Sequence, residues 1–476
     1  MTENARTVVA GRLGLPTILT FAAVTLPMSA LGVSLAIFLP RYFAGHLGVS
    51  LTAVGGAFAL VRLIDIPVDP ILGLLMDRTR TFLGRYRLWL LIGAPILLLA
   101  VHQLFMAPMG ISRGYLMVWL LCLYLGTSII GLSHTAWGAT LAAAYHERSR
   151  LFGVLAVVGV LASVVVLGIP TLAKAFHLGD PDGVQTMGWL VICLIPTGIG
   201  LVAWRIPEHV GVDIHTRRFA LRDYLQLISK PAMIRIFLAQ MCLTLSPGWM
   251  SALYLFFFKD VLGFSVAVSS LLLGAYILAG AVGAPTTAWV STKLGKHRTL
   301  MVTTSAYSIG LCSIVVMPRN DLFAIVPVML WCGFMASGFG LLISSMTADV
   351  GDEVRLEQGK QRMSLIYSLI GLAGKIAGAA AIFLSFWALA HFGYKAVEGA
   401  HNTPRAIHAL KLAFIVGPIF FAMLGGACFI GWKLDAKRHG EIRTQLDARD
   451  AQFAEAPIID SLTGQPLIPV LAAEPD

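Results

Sequence analysis

The residues with the clearest chemistry lie in one run, RLIDIPVDPILGLLMDRT, from Arg62 to Thr79. Asp65 and Asp69 are spaced so that a helix carries both on one face, and Arg62, three residues before Asp65, shares that side. Two carboxylates so close resist simultaneous ionisation. One holds a proton or both share a cation, which is the outline of a cation-coupling site. Pro67 and Pro70 lack the N–H groups that would bond the carbonyls of Leu63 and Ile66, and released carbonyls beside acids suit a cation or water. A plainer account makes Arg62 and Asp65 a fixed ion pair and the prolines mere kinks. A second isolated charge, Lys375, stands deep inside the apolar run SLIYSLIGLAGKIAGAAAIF. It is expected either to face the same cavity as the acids, as a movable counter-charge or substrate contact, or to reach water through a tilted helix end.

The elements that position these groups must lie in a membrane. The chain has 476 residues, 57% hydrophobic and only 13% charged, with a mean hydropathy of +0.79, which excludes a soluble globule. A hydrocarbon core of about 30 Å takes roughly 20 apolar residues per helix. That ruler returns twelve segments, at 16–40, 51–76, 88–108, 115–143, 151–174, 184–205, 233–257, 265–290, 298–317, 321–346, 364–390 and 409–433. The net charge of +10 alternates by loop. Arg78, Arg80, Arg85 and Arg87 follow segment 2, Arg148 and Arg150 segment 4, Arg217, Arg218, Arg222 and Lys230 segment 6, Lys293, Lys296 and Arg298 segment 8, and Lys433, Lys437 and Arg438 segment 12. This is the positive-inside pattern and no nucleic-acid surface; it predicts both termini in the cytoplasm. The polar start MTENARTVVAGRLG implies no cleaved leader. The expected location is a bacterial inner (plasma) membrane, with lipid as neighbour and a monomer as the working unit. Six scattered cysteines read as small core residues, not as a disulfide framework or a metal site.

The chain divides into an N-terminal six-helix bundle (1–205), a basic cytoplasmic linker (206–232) with a short surface helix at 219–228, a second bundle (233–433) and a tail (434–476) that begins as a charged, helix-compatible stretch and is expected to be mobile and without a transport role. A Gly-plus-basic turn follows segment 2 and recurs after segment 8, as STKLGKHR, a weak repeat in matching positions. In the first turn Gly73, Asp77, Arg78, Gly84, Arg85 and Arg87 form a candidate conformational latch, because an aspartate among arginines can pair differently in two states. The plainer account makes them topology determinants alone. The pattern G-x-x-x-D-R followed by G-R-x-R resembles the signature loop of the major facilitator superfamily.

DIPVDPILG, GRYRLWLLIGAP at 84–95, TADVGDEVRLEQGKQRMSLIYS at 347–368 and Lys375 together resemble the glycoside-pentoside-hexuronide:cation symporters. These are the melibiose-permease-like branch of that superfamily. The resemblance implies an all-α membrane protein with the major facilitator fold, about twelve transmembrane helices in two six-helix bundles. It also implies that Asp65 and Asp69 are the paired cation-site acids, that Lys375 is the family's segment-11 lysine and that Trp137 is the aromatic that stacks on a sugar ring; a packing role is the plainer account of Trp137. The departures fall at Ser29, Ser133, Val158 and Gly340, where the family's sugar permeases carry charged or aromatic contacts. A pocket for several hydroxyls needs convergent polar groups, so the substrate set here must be rebuilt from His134, Trp137, Tyr124, Gln240, Trp249, Lys375 and Arg62.

The expected function is therefore cation-coupled symport of a small organic solute, a sugar, glycoside or derivative. The alternative is a lysolipid or other amphiphile, since the animal lysophosphatidylcholine symporters resemble the same family. A non-transporting receptor or scaffold would not need acids and a lysine at membrane depth. No P-loop, G-x-S-x-G or H-E-x-x-H motif is present, so an enzyme, ATP-driven transport, a cofactor and a metal centre are not expected. Sodium-using relatives place an asparagine before the second acid and a threonine on segment 4. Val68 and Ile130 stand there instead, so a proton is the expected coupling ion and sodium the alternative.

Overall fold

The structure is a computed structural model and describes residues 14–79, 81, 83–141, 145–175, 180–206, 208, 230–358, 363–397, 399–454, 458–459 and 466–467. Among these, twelve helices are long and apolar enough to cross a membrane. They are α1 (Leu15–His46), α2 (Leu51–Arg78), α3 (Tyr86–Phe105), α4 (Arg113–Leu141), α5 (Tyr145–Ala175), α6 (Asp180–Arg205), α7 (Pro231–Val261), α8 (Val266–Leu294), α9 (Lys296–Ser313), α10 (Leu322–Gln358), α11 (Met363–His391) and α12 (Pro404–Ala427). Each falls on one of the apolar segments, though α1 runs further than the hydropathy suggests and α12 begins earlier. The expected surface helix at 219–228 lies outside the described residues.

The two halves repeat a turn in detail. Near their far ends α1 and α7 each loosen into a π-helical turn, at Tyr42–His46 and Phe257–Val261. Leu-Gly-x-Ser follows in both, as Leu47 to Ser50 and Leu262 to Ser265. Leu47 N donates to the Tyr42 carbonyl at 3.1 Å, and Leu262 N to that of Phe257 at 3.2 Å. Ser50 and Ser265 then cap α2 and α8, each accepting from the amide three residues on at 3.3 Å. A backbone device this specific, with i to i+5 bonds and a serine cap, marks a duplicated unit.

Helix α2 packs along α11 and α5 along α8, so these pairs join the halves. At the end of α1 remote from the chain's N-terminus, residues 34–41 also pack on α7 and close that far face. Tyr394, in the loop after α11, donates its hydroxyl to Asp260 there. Burial, then the Asp260 charge, pushes that phenol well above the ordinary tyrosine range. On the opposite, basic face lie the turns after α2 and α8. Gly84 (φ +104°) and Gly295 (φ +85°) occupy the left-handed region there, which a side chain disfavours.

The tail begins with a helix, as its charged start suggests, but that helix is docked where mobility was expected. Residues Ala436–Ala454 form a helix, α13, that docks against α10. Ile442 and Leu446, four residues apart, are its buried stripe in an otherwise polar sequence. His439 Nε2 lies 3.1 Å from Asp352 Oδ2 and 3.5 Å from Asp349 Oδ1, and Lys296 Nζ is 2.7 Å from both Asp349 oxygens. A two-residue antiparallel pairing, Ile458–Ile459 with Pro466–Leu467, follows.

Candidate functional site

Helix α2 continues through Pro67 and Pro70, so Asp65 and Asp69 present their carboxylates on one face toward α11. Gly55 lets the two helices approach: a Cβ there would stand 3.3 Å from Phe383 Cα. Lys375, set among glycines and alanines on α11, reaches across. Its Nζ is 2.5 Å from Asp69 Oδ2 and 2.9 Å from Asp65 Oδ2. Among the described ion pairs these are the ones that cross between the halves. Arg62 Nη1 lies 3.4 Å from the same Asp65 oxygen, with its guanidinium 4.6 Å from the centre of the Tyr124 ring. Ser128 Oγ on α4 donates to Asp65 Oδ1 at 3.1 Å.

The acids are thereby unequal. Asp65 is 1% exposed and both its oxygens are engaged, whereas Asp69 is 28% exposed and its Oδ1 has no hydrogen-bond partner among the described residues. Two carboxylates, one ammonium and one guanidinium balance in charge. That balance matters because unpaired charge at this depth is costly. Lys375 meets the acids and does not reach along its helix to water. Arg62 does approach Asp65, but as one partner of several.

Gln240 of α7 belongs to the edge of this group. Its Nε2 donates to Thr244 Oγ1 at 3.0 Å and stands 3.6 Å from where a Cβ on Gly374, the neighbour of Lys375, would be. His134 is elsewhere on α4, six residues beyond Ser128 and so about 9 Å along the axis. It lines a cavity of about 490 Å³ between α1, α4 and α5, with Thr25, Ser29, Thr135 and Ser163 among the walls. His134 Nε2 sits 2.8 Å from the Phe21 carbonyl. A carbonyl only accepts, so Nε2 carries the hydrogen. The ring also stacks on Phe21, with centroids 4.2 Å apart.

Two candidates are held away from both places. Trp137 is 1% exposed, edge-on to Phe21 at 6.0 Å and beneath the Arg87 guanidinium at 5.7 Å, in the packing of the N-terminal half. Trp249 donates from Nε1 to the Ala413 carbonyl at 2.9 Å and faces α12. Ser133 turns its hydroxyl to the Ile129 carbonyl at 2.5 Å, so His134 and not Ser133 meets the cavity. Ser128 escaped sequence reasoning because a lone serine in an apolar helix carries no spacing signal toward a residue 63 positions away.

At the candidate latch, Arg85 Nε donates to the Met76 carbonyl at 2.8 Å and Arg87 Nη2 to that of Ile206 at 2.6 Å. Gly73 is inside α2 with open space where a Cβ would be; the side chains of Asp77 and Arg78 lie outside the described residues. Glu208, unremarkable in sequence, is the centre of this turn. Its carboxylate accepts from the amides of Arg85, Tyr86 and Arg87 at 2.7, 2.7 and 3.0 Å. It thus binds the N-terminal amides of α3, where the helix dipole favours negative charge. No group of three or more His, Cys, Asp or Glu that could hold a metal occurs among the described residues.

Twelve spanning helices in two related halves, meeting at a buried set of paired acids and a lysine, define an integral membrane protein of the secondary-transporter class. The chain belongs to the MFS/sugar transport protein family, which matches residues 20–436, and within it to the glycoside-pentoside-hexuronide:cation symporters. It is 24% identical over 441 residues to the uncharacterized symporter YnaJ of Bacillus subtilis (strain 168), covering 88% of this chain and 91% of that one. It is 22% identical over 430 residues to the isoprimeverose transporter of Lactiplantibacillus pentosus, covering 87% and 88%. Among solved structures, the nucleoside transporter NupG superposes with a TM-score of 0.66 at 12% identity, over 88% of this chain and all of that one. That likeness supports the major facilitator fold. The protein is a transporter, not an enzyme.

Proposed function

We propose that this protein is a proton-coupled symporter of a small carbohydrate solute, a sugar, glycoside or derivative, working by alternating access in a bacterial inner membrane with both termini in the cytoplasm. The observation that carries this reading is Lys375 Nζ held between Asp65 and Asp69 from the other half of the molecule. The ammonium pairs with one oxygen of each acid and ties α11 to α2. A proton arriving at Asp69, the acid with an unsatisfied oxygen, weakens that tie and releases Lys375 toward a solute. Cation and solute binding are then linked through one side chain, and the tie between the halves changes with both.

The cavity by His134 favours the carbohydrate reading over the amphiphile, because its walls offer hydroxyls and an imidazole. The choice of the proton rests on Val68 and Ile130, which supply no side-chain oxygen for the shell that sodium prefers. The test is uptake into proteoliposomes of a labelled glycoside panel, under an imposed pH difference in sodium-free buffer and under a sodium gradient at symmetric pH. Accumulation driven by the pH difference is expected; accumulation that requires sodium and ignores pH would overturn the proton assignment.

A further inference from the structure

We propose that an anionic phospholipid occupies a fixed site on the outer side of the C-terminal half, with its chain along α12 and its phosphate among Arg405, His408 and Lys411. An apolar groove of about 670 Å³ runs along α12, walled by Trp387 and Phe392 on one side and by Leu412, Val416 and Phe420 on the other. All five are half-exposed; in a membrane-spanning helix, exposed apolar side chains meet acyl chains. The groove has a constructed floor. Trp249 lies across it, pinned by its bond to the Ala413 carbonyl, and the indole fits only because position 417 is glycine, where a Cβ would stand 2.6 Å from Trp249 Cε2.

Charge at one end supplies the headgroup chemistry. Arg405 and His408, both exposed, stand on the first turns of α12 at the mouth of the groove. His408 also lines a second cavity of about 480 Å³, whose walls include Arg319, Lys411, Asn402 and Asp260. The apolar groove and the polar cavity therefore meet at one residue. Arg319 Nη2 donates to the Asp260 carbonyl at 3.2 Å and Lys411 Nζ to that of Val315 at 2.8 Å. Each cation keeps further N–H donors for phosphate oxygens. With Arg405 at the groove mouth, three positive charges stand against one acid among the residues lining the two cavities, Asp260, which selects a net anion over a zwitterion. Asn402 and Asp260 offer acceptors to a headgroup hydroxyl, as in phosphatidylglycerol. From Arg405 to Phe420 the helix rises about 22 Å, more than the depth of one leaflet, half of a core of about 30 Å.

The experiment is native mass spectrometry of the intact detergent-purified protein, titrated separately with phosphatidylglycerol, phosphatidylethanolamine and phosphatidylcholine. One tightly held phosphatidylglycerol is expected. In Arg405→Gln/Lys411→Gln its affinity should fall about tenfold, as for loss of charge-assisted contacts. Ala413→Trp, which fills the groove and leaves the cations in place, should also lose it, with folding of both variants checked by circular dichroism. Equal retention of all three lipids, unchanged by the charge variant, would reduce the groove to ordinary annular lipid and overturn the proposal. Soluble glycerol phosphate binding as tightly as the lipid, and unaffected by Ala413→Trp, would overturn it in favour of a free phosphate ester.

Discussion

Asp65 and Asp69 are a matched pair in sequence, but their surroundings give them different tasks. Asp65 is sealed and held by Lys375, Arg62 and Ser128, so it fixes where the ammonium sits; Asp69 keeps a buried oxygen with no partner among the described residues. Asp65→Asn and Asp69→Asn should each abolish gradient-driven accumulation, with substrate binding and exchange separable from that loss. Uptake and exchange in proteoliposomes check this, and parental accumulation by both variants would remove the coupling role. Lys375→Ala leaves the buried Asp65 short of its nearest cation, which should cost about 2–4 kcal/mol of stability and impair both binding and coupling. In an Asp65→Asn background the same substitution should cost much less, because the unbalanced charge is gone. Thermal unfolding of the four proteins measures that difference, and equal costs would show that the pair is not coupled.

At the scale of elements, the loop after α2 is organised by a residue outside it. Glu208 satisfies three amides at the start of α3, and Gly84 provides both the backbone conformation and the room for that carboxylate, since a Cβ at Gly84 would collide with it. Glu208→Ala should therefore lower stability by about 2 kcal/mol, and Gly84→Ala by a similar amount. Unfolding midpoints in detergent test both, and an unchanged midpoint in Glu208→Ala would show that water replaces the cap. Arg85 and Arg87 bond the backbone carbonyls of Met76 and Ile206 and so help to hold this turn in shape. The duplicated Leu-Gly-x-Ser turn went unread in the sequence because only four positions define it; the backbone bonds make it visible.

For the whole molecule, the far face is closed by α1 on α7, while the described ion pairs on the basic face all lie in the C-terminal half with its flanking linker and tail. The centre holds Asp65, Asp69 and Lys375, whereas the walls of the cavity beside His134 carry hydroxyls and an imidazole and no acid. Unmodified disaccharides should accordingly bind poorly. Equilibrium binding of melibiose and lactose to the purified protein checks this, and micromolar affinity for either would show that the hydroxyls and imidazole suffice.

Hydropathy alone determined the twelve helices, because a hydrocarbon core demands a fixed length of apolar residues. The i, i+4 spacing determined that Asp65 and Asp69 share a face, and depth in an apolar run marked Lys375 as exceptional. Each of those is a local property of the chain. Tertiary structure decided what no spacing encodes: that Lys375 meets both acids across the two halves, that Ser128 reaches Asp65 from α4, and that Trp137 and Trp249 turn into packing. It also decided that Glu208 caps α3 and that two apolar residues dock a polar tail. These contacts join positions tens to hundreds of residues apart, and only the packing of one helix face on another selects them.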